Sequence, residues 1–197
     1  MISKSRRRIS PDERRQEIRQ CARDLFIARG FEQVKMSDIA AEMGISRGLM
    51  YNYYDSPNAI LEDLFALALD NLKTHLQPIL QEATRYPLTD IIQKILYYLI
   101  TEDDLLAVFY SGGSLAFHQR REQLLRDQLE PLLRPYLPNA LSGTEIAIII
   151  SLLEGVVVFV KANQQTTAHE VFTFIASLLE QGLTPFWKPQ DPAASNP

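Results

Sequence analysis

Residues 36–54, MSDIAAEMGISRGLMYNYY, decide the fold. Ile39, Met43, Ile45 and Met50 are apolar where two crossed helices must share a small core, and Ala40 is small where those helices approach. Gly44 sits at the turn, where a residue without Cβ takes φ > 0 at no steric cost. Ser46 follows as an N-cap for the second helix. An amphipathic helix alone would account for Ile39 and Met43. It would not account for a turn glycine with a cap two residues behind it. The pattern reads as helix, tight turn, helix, the unit that lays its second helix in the major groove of duplex DNA.

Working outward, Ser10-Pro11-Asp12-Glu13 is a helix start, with Ser10 as cap, Pro11 at the first helical position and Glu13 closing a capping box. Ile18, Cys21, Ala22, Leu25 and Phe26 then form a 3.6-residue stripe that ends near Gly30. Two short helices follow, at about 36–43 and 46–53. Arg15, Ile18, Ala22, Leu25, Phe26, Gly30 and Phe31 belong to one longer pattern, continued by Asp38-Ile39-Ala40, Gly44, Ser46, Gly48, Tyr51, Tyr53-Tyr54, Ser56 and Leu61. Over residues 10 to 65 that pattern resembles the DNA-binding domain of the TetR family of bacterial transcriptional regulators. Beyond it the likeness is one of layout, a short reader followed by a longer helical body. Two positions depart from the family. Lys35 stands where a Thr usually caps the second helix, and Pro57 stands where a Lys usually touches a DNA phosphate.

The rest of the chain reads as helices throughout. Ser56-Pro57 opens a fourth, striped by Ile60, Leu61, Leu64, Phe65, Ala68, Leu69 and Leu72, with a bend expected at Pro78. A fifth starts at Leu88 or Thr89. Asp103 or Asp104 caps another, interrupted by Gly112-Gly113. Residues 118–136 form a charged amphipathic helix that Pro131 kinks or ends. Ser142-Gly143-Thr144-Glu145 is a second capping box and opens a strongly apolar helix to about Asn163. The last helix runs from about Ala168 to Phe186. There is no alternating strand pattern, internal repeat or Gly-rich nucleotide loop, so the expected class is all-α. The expected architecture is an N-terminal three-helix helix-turn-helix DNA-binding domain joined to a C-terminal helical ligand-binding and dimerisation bundle. The expected organisation is a disordered basic arm at 1–9, the reader at 10–55, the body at 56–187 and a disordered tail at 188–197.

Net charge is −4 overall, but it is unevenly divided. Residues 1–55 hold 11 Lys and Arg against 8 Asp and Glu, which is +3, and residues 56–197 hold 9 against 16, which is −7. A basic reader on an acidic body keeps the rest of the chain off DNA. The single Cys excludes an internal disulfide and fits a reducing, cytoplasmic setting. MISKSRRR has no apolar run behind it and is not a secretory signal. The most apolar run, 146–160, contains Glu154 and is short for a bilayer, so a buried helix is expected rather than a membrane contact. Catalysis is not expected either. His75, His118 and His169 are far apart, Glu102-Asp103-Asp104 reads as a helix start, and HExxH, GxSxG and zinc-spaced Cys motifs are missing. No metal or other cofactor is expected. Cys21 reads as a small core residue of the first helix.

Ser46, Arg47, Gly48, Tyr51, Asn52 and Tyr53 are expected on the exposed N-terminal and outer faces of the second helix of the motif. Arg47 can bridge O6 and N7 of guanine, and Asn52 can do the same at N6 and N7 of adenine. Gly48 lets the backbone approach the duplex. The resemblance implies that Tyr51 and Tyr53 touch phosphates, while Met50 and Tyr54 face the small core. Lys35 and Ser37 begin the preceding helix, whose free N–H groups favour phosphate. Lys4, Arg6, Arg7 and Arg8 form a basic arm that phosphate attracts.

One such helix reads few base pairs, so a homodimer on palindromic double-stranded operator DNA is expected. The helix from Ser142 is apolar nearly all round, and one of its faces needs a partner. The expected seam is Ile149, Leu153 and Val157 with Val171, Phe174, Ile175 and Leu178 from the last helix. The family pairs its last two helices across a two-fold axis, which this pattern matches. The resemblance also implies a pocket for a small-molecule effector among the middle helices and the apolar one. Candidate lining residues are Tyr97, Tyr98, Phe109, Tyr110, Phe117, His118, Glu154 and Phe159, although an aromatic at helical spacing also reads as core. The function this implies is a ligand-responsive regulator, a repressor that the effector releases from its operator. The alternative is a DNA-binding protein of the same fold that answers to a protein partner or shapes DNA.

Overall fold

A computed structural model describes residues 9–81, 88–102, 108–109, 112–136, 142–163 and 168–183. Every described element is a helix or a helical turn. Helix α1 (Pro11–Arg29) begins on the expected capping box: Ser10 Oγ accepts from the Glu13 N–H at 3.2 Å, and the Glu13 carboxylate accepts from the Ser10 N–H at 2.8 Å. It buries Ile18, Ala22, Leu25 and Phe26. A 3-10 turn (Phe31–Gln33) leads to α2 (Met36–Glu42) and α3 (Arg47–Tyr51). These three helices close over Ile18, Phe26, Ile39 and Met50, each 0% exposed.

Helix α4 (Pro57–Gln81) is the connector. Ser56 Oγ accepts from the Ala59 N–H at 3.2 Å at its start. The expected bend at Pro78 does not end the helix: Pro78 is exposed, while Leu76 and Leu80 on the opposite side are buried. Its buried stripe runs from Ile60 and Leu61 through Phe65 to Leu80. One apolar core therefore continues from Ile18 of the reader to Leu129 and Ile146 of the body.

Among the described residues the body holds α5 (Leu88–Glu102), α6 (Leu115–Leu133), α7 (Gly143–Ala162) and α8 (Ala168–Leu183). Helix α6 starts earlier than the charge pattern predicts, because Ser114 Oγ caps the Phe117 N–H at 3.2 Å. Pro131 lies in its last turn, and a 3-10 turn (Arg134–Tyr136) follows. Helix α7 opens on the second expected capping box, Ser142 with Glu145. Helix α8 ends at Leu183 among the described residues. The expected caps Asp103 and Asp104 lie outside the described residues.

A second core cluster corrects the expected seam. Val157 is 0% exposed and packs with Leu96 and Leu99 of α5 inside the protomer, with Leu153 and Ile175 against the same cluster. Phe174 and Leu178 of the expected seam do face outward, at 65% and 55% exposure, and Ile148, Leu152 and Phe159 of α7 join them, at 53% to 58%. Ile149 and Val171 are half-buried. The helical period explains the exchange. Ile146, Ile150, Val157 and Val160 recur on the inner face, and Ile148, Leu152 and Phe159 recur on the outer one. Gly143–Val160 has 18 residues and a mean hydropathy of 2.1, long and apolar enough to cross a bilayer by length and composition. Its inner face is occupied by α5 and α6.

Candidate nucleic-acid interface

The turn between α2 and α3 is built as its residues require. Gly44 has φ +64° and its N–H reaches Ala41 O at 3.1 Å, so the chain reverses in a conformation that a side chain at this position would strain. Ile45 N–H then bonds Ala40 O at 3.0 Å. Ser46 caps α3 by accepting from the Leu49 N–H at 3.2 Å. The N-terminus of α2 differs: Asp38 accepts from the Lys35 N–H at 2.8 Å, and the Asp38 N–H donates in return to the Lys35 carbonyl at 2.9 Å, because the Lys35 side chain has no acceptor.

On this frame Arg47, Gly48, Tyr51 and Asn52 are exposed, and Tyr51 keeps 52% of its surface. Asn52 falls at the C-cap of α3 rather than within the helix. Ser46 and Lys35 are exposed as well, and Ser37 is half-buried. Met50 and Tyr54 point into the core, at 0% and 5% exposure. Tyr53 is half-buried and lies under Arg15, whose guanidinium is 5.9 Å from its ring centre and 5.5 Å from that of Tyr54. Arg6, Arg7 and Arg8 lie outside the described residues.

Behind this surface Arg19 and Asp63 carry no signal in the local sequence, and the partners of Arg15 carry none either. Asp63 Oδ2 accepts from Arg19 at 3.0 Å and from the Tyr54 hydroxyl. Arg15 donates to the Tyr53 carbonyl at 3.3 Å. Burial pushes the Asp63 carboxyl up, but the hydrogen bonds from Tyr54 and Arg19 and the charges of Arg19 and Arg15 hold it below its ordinary value. Burial, and then Asp63, raise the Tyr54 phenol. These partners are up to 44 residues apart, so no spacing rule could find them. Half-buried Cys21 sits at the back of the reader, its thiol pushed up by burial and by Glu42 and Asp24.

The described members of the expected effector pocket do not gather in one place. Phe109 and Phe117 are 0% and 1% exposed and pack edge-on against Phe65 of α4, which makes them core. Phe159 and Tyr97 are exposed, at 53% and 63%. Tyr98 is half-buried and stacks on His75 at 3.8 Å between ring centres, and His118 is half-buried against the Phe117 ring. Tyr110 and the Glu154 side chain lie outside the described residues. No His, Cys, Asp and Glu group among the described residues is arranged to hold a metal ion.

The family described as bacterial regulatory proteins, tetR family, matches residues 18–64. Over the longer chain, the HTH-type transcriptional regulator YvdT of Bacillus subtilis (strain 168) is 23% identical across 172 residues, 84% of this chain and 80% of that protein. The HTH-type transcriptional repressor KstR2 of Mycolicibacterium smegmatis is 35% identical over 74 residues, 38% of this chain and 36% of that protein. In fold, the fatty acid degradation regulator FadR from Bacillus halodurans superposes with a TM-score of 0.65 at 18% identity, over 86% of this chain and 95% of that one.

Proposed function

We propose that the chain, whose helix-turn-helix at residues 18–64 matches the tetR family of bacterial regulatory proteins, is a repressor of that family. It binds a palindromic operator as a homodimer and leaves it when a small molecule binds the body. One observation carries the DNA contact. Arg47, Gly48 and Tyr51 are exposed along α3 with Asn52 at its C-cap, while Met50 of α3 and Tyr54 just beyond it are fixed in the core. Arg47 takes guanine, Asn52 takes adenine, and Tyr51, Tyr53, Lys35 and Ser37 take phosphates. Arg6, Arg7 and Arg8 follow the backbone along a groove.

The outward apolar faces of α7 and α8 support the dimer. Ile148, Leu152, Phe159, Phe174 and Leu178 present large apolar side chains to solvent from two neighbouring helices, and a second copy would cover them. The effector reading rests on the size of the body and on Tyr98 and His118, half-buried rings with polar edges beside the connector helix. An effector acts by binding the state that cannot hold DNA more tightly than the state that can.

The test is selection of bound genomic fragments, followed by titration of the selected duplex at two salt concentrations. The expected result is a palindromic site whose affinity falls with salt as several phosphate contacts require. Arg47→Ala should cost about 1–3 kcal/mol on that site and little on random duplex. Weak binding that is blind to sequence would leave the protein an architectural or partner-controlled DNA binder.

A further inference from the structure

Helix α3 has five residues, too few to hold itself in one position. Its N-terminal end is fixed by the Ser46 cap and its middle by Met50. Its C-terminal end is fixed differently. The Tyr54 hydroxyl and Arg19 Nη1 both donate to one oxygen, Oδ2 of Asp63, while Arg15 covers the rings of Tyr53 and Tyr54 and donates to the Tyr53 carbonyl. The arginines come from α1, the tyrosines from the turn just after the reading helix, and the carboxylate from the connector α4. Asp63 is thus an acceptor that α1, the segment after α3 and the connector α4 share. It is partly exposed, touches no base-reading residue and stands 16 residues beyond Arg47 in the sequence.

We propose that Asp63 is a positioning residue for DNA reading: through the Tyr54 hydroxyl it sets the angle at which the reading helix meets the groove, and it carries any displacement of α4 to that helix. The proposal rests on the DNA-reading function above. The chemistry suits it. An ionised carboxylate with two charged or strongly polar donors makes bonds that are short and directional, so a small shift of α4 turns the helix rather than slipping past it. Non-specific binding depends on phosphate charge and tolerates such a turn, whereas base-edge bonds do not.

The experiment compares Asp63→Asn and Tyr54→Phe with the unaltered chain, by fluorescence anisotropy on the selected duplex and on a random duplex of equal length, with thermal midpoints alongside. Tyr54→Phe keeps the ring in the core and removes only the hydroxyl, so it remains informative if Asp63→Asn fails to fold. Each variant should lose about tenfold on the selected duplex, the scale of a lost charge-assisted hydrogen bond, and under about twofold on random DNA. Equal losses on both duplexes, or losses that simply track a lower midpoint, mean that Asp63 only stabilises the fold and overturn the proposal. Unchanged affinity on both overturns it too. If the unaltered chain prefers no selected duplex, the DNA-reading function fails and the proposal falls with it, an outcome distinct from intact preference in variants that do not respond.

Discussion

Gly48 lies inside the reading helix, yet nothing in the protein requires a glycine there. Its φ is not positive, and a Cβ added to it would meet no atom within 4 Å. A mid-helix glycine costs about 1 kcal/mol relative to Ala. On the proposed DNA-reading role, Gly48 is the place where the duplex backbone would approach the helix. Gly48→Ala should therefore raise the thermal midpoint slightly while weakening binding to the selected duplex. A variant that gains stability and keeps full affinity would remove Gly48 from the interface. Gly112 shows the opposite case, where packing inside the protein demands the glycine: a Cβ there would fall 2.7 Å from the Phe31 Cβ, so the body and the reader touch because a side chain is missing.

At the scale of the element, the capping boxes are where residue chemistry becomes helix boundary. The Glu13 and Glu145 carboxyls are lowered by hydrogen bonds from the backbone and side chain of Ser10 and Ser142 respectively. Asp63 is lowered on balance despite its burial. A carboxyl lowered in the folded state stabilises the fold at pH above its unfolded value, and that contribution is lost as pH falls through the folded value. Helicity followed by circular dichroism should therefore hold from neutral pH down to about pH 4 and then decline. Ser142→Ala should remove the cap of α7, cost about 1 kcal/mol and move the acid transition to higher pH. An acid transition identical to that of the unaltered chain would mean that the box contributes no stability.

At the scale of the molecule, α7 has two apolar faces with different work. Val157 looks inward to Leu96 and Leu99, and Leu152 looks outward. Val157→Glu should destabilise the protomer by roughly 3–5 kcal/mol, the effect of an uncompensated buried charge, whatever the oligomeric state. Leu152→Glu should leave helicity and midpoint nearly intact at low concentration and yield monomers by light scattering. A Leu152→Glu protein that remains a dimer would move the seam to another surface. The reader and body share one core, so unfolding of the two parts should coincide in a single transition.

The sequence by itself determined the all-helical class, the caps at Ser10, Ser46, Ser56 and Ser142, the turn at Gly44 and the exposed row Arg47, Gly48, Tyr51 and Asn52. These follow from local chemistry: a cap, a turn glycine and an amphipathic stripe act within a few residues, and their spacing is written along the chain. Only the tertiary structure decided which face of α7 is core, because a helix apolar on every side gives no phase from which to read its orientation. It likewise decided that Phe109 and Phe117 pack around Phe65, since an aromatic at helical spacing looks the same whether it lines a cavity or fills one. And it alone brought Arg15, Arg19 and Asp63 to Tyr53 and Tyr54, a set of partners joined across three helices by packing rather than by any interval in the sequence.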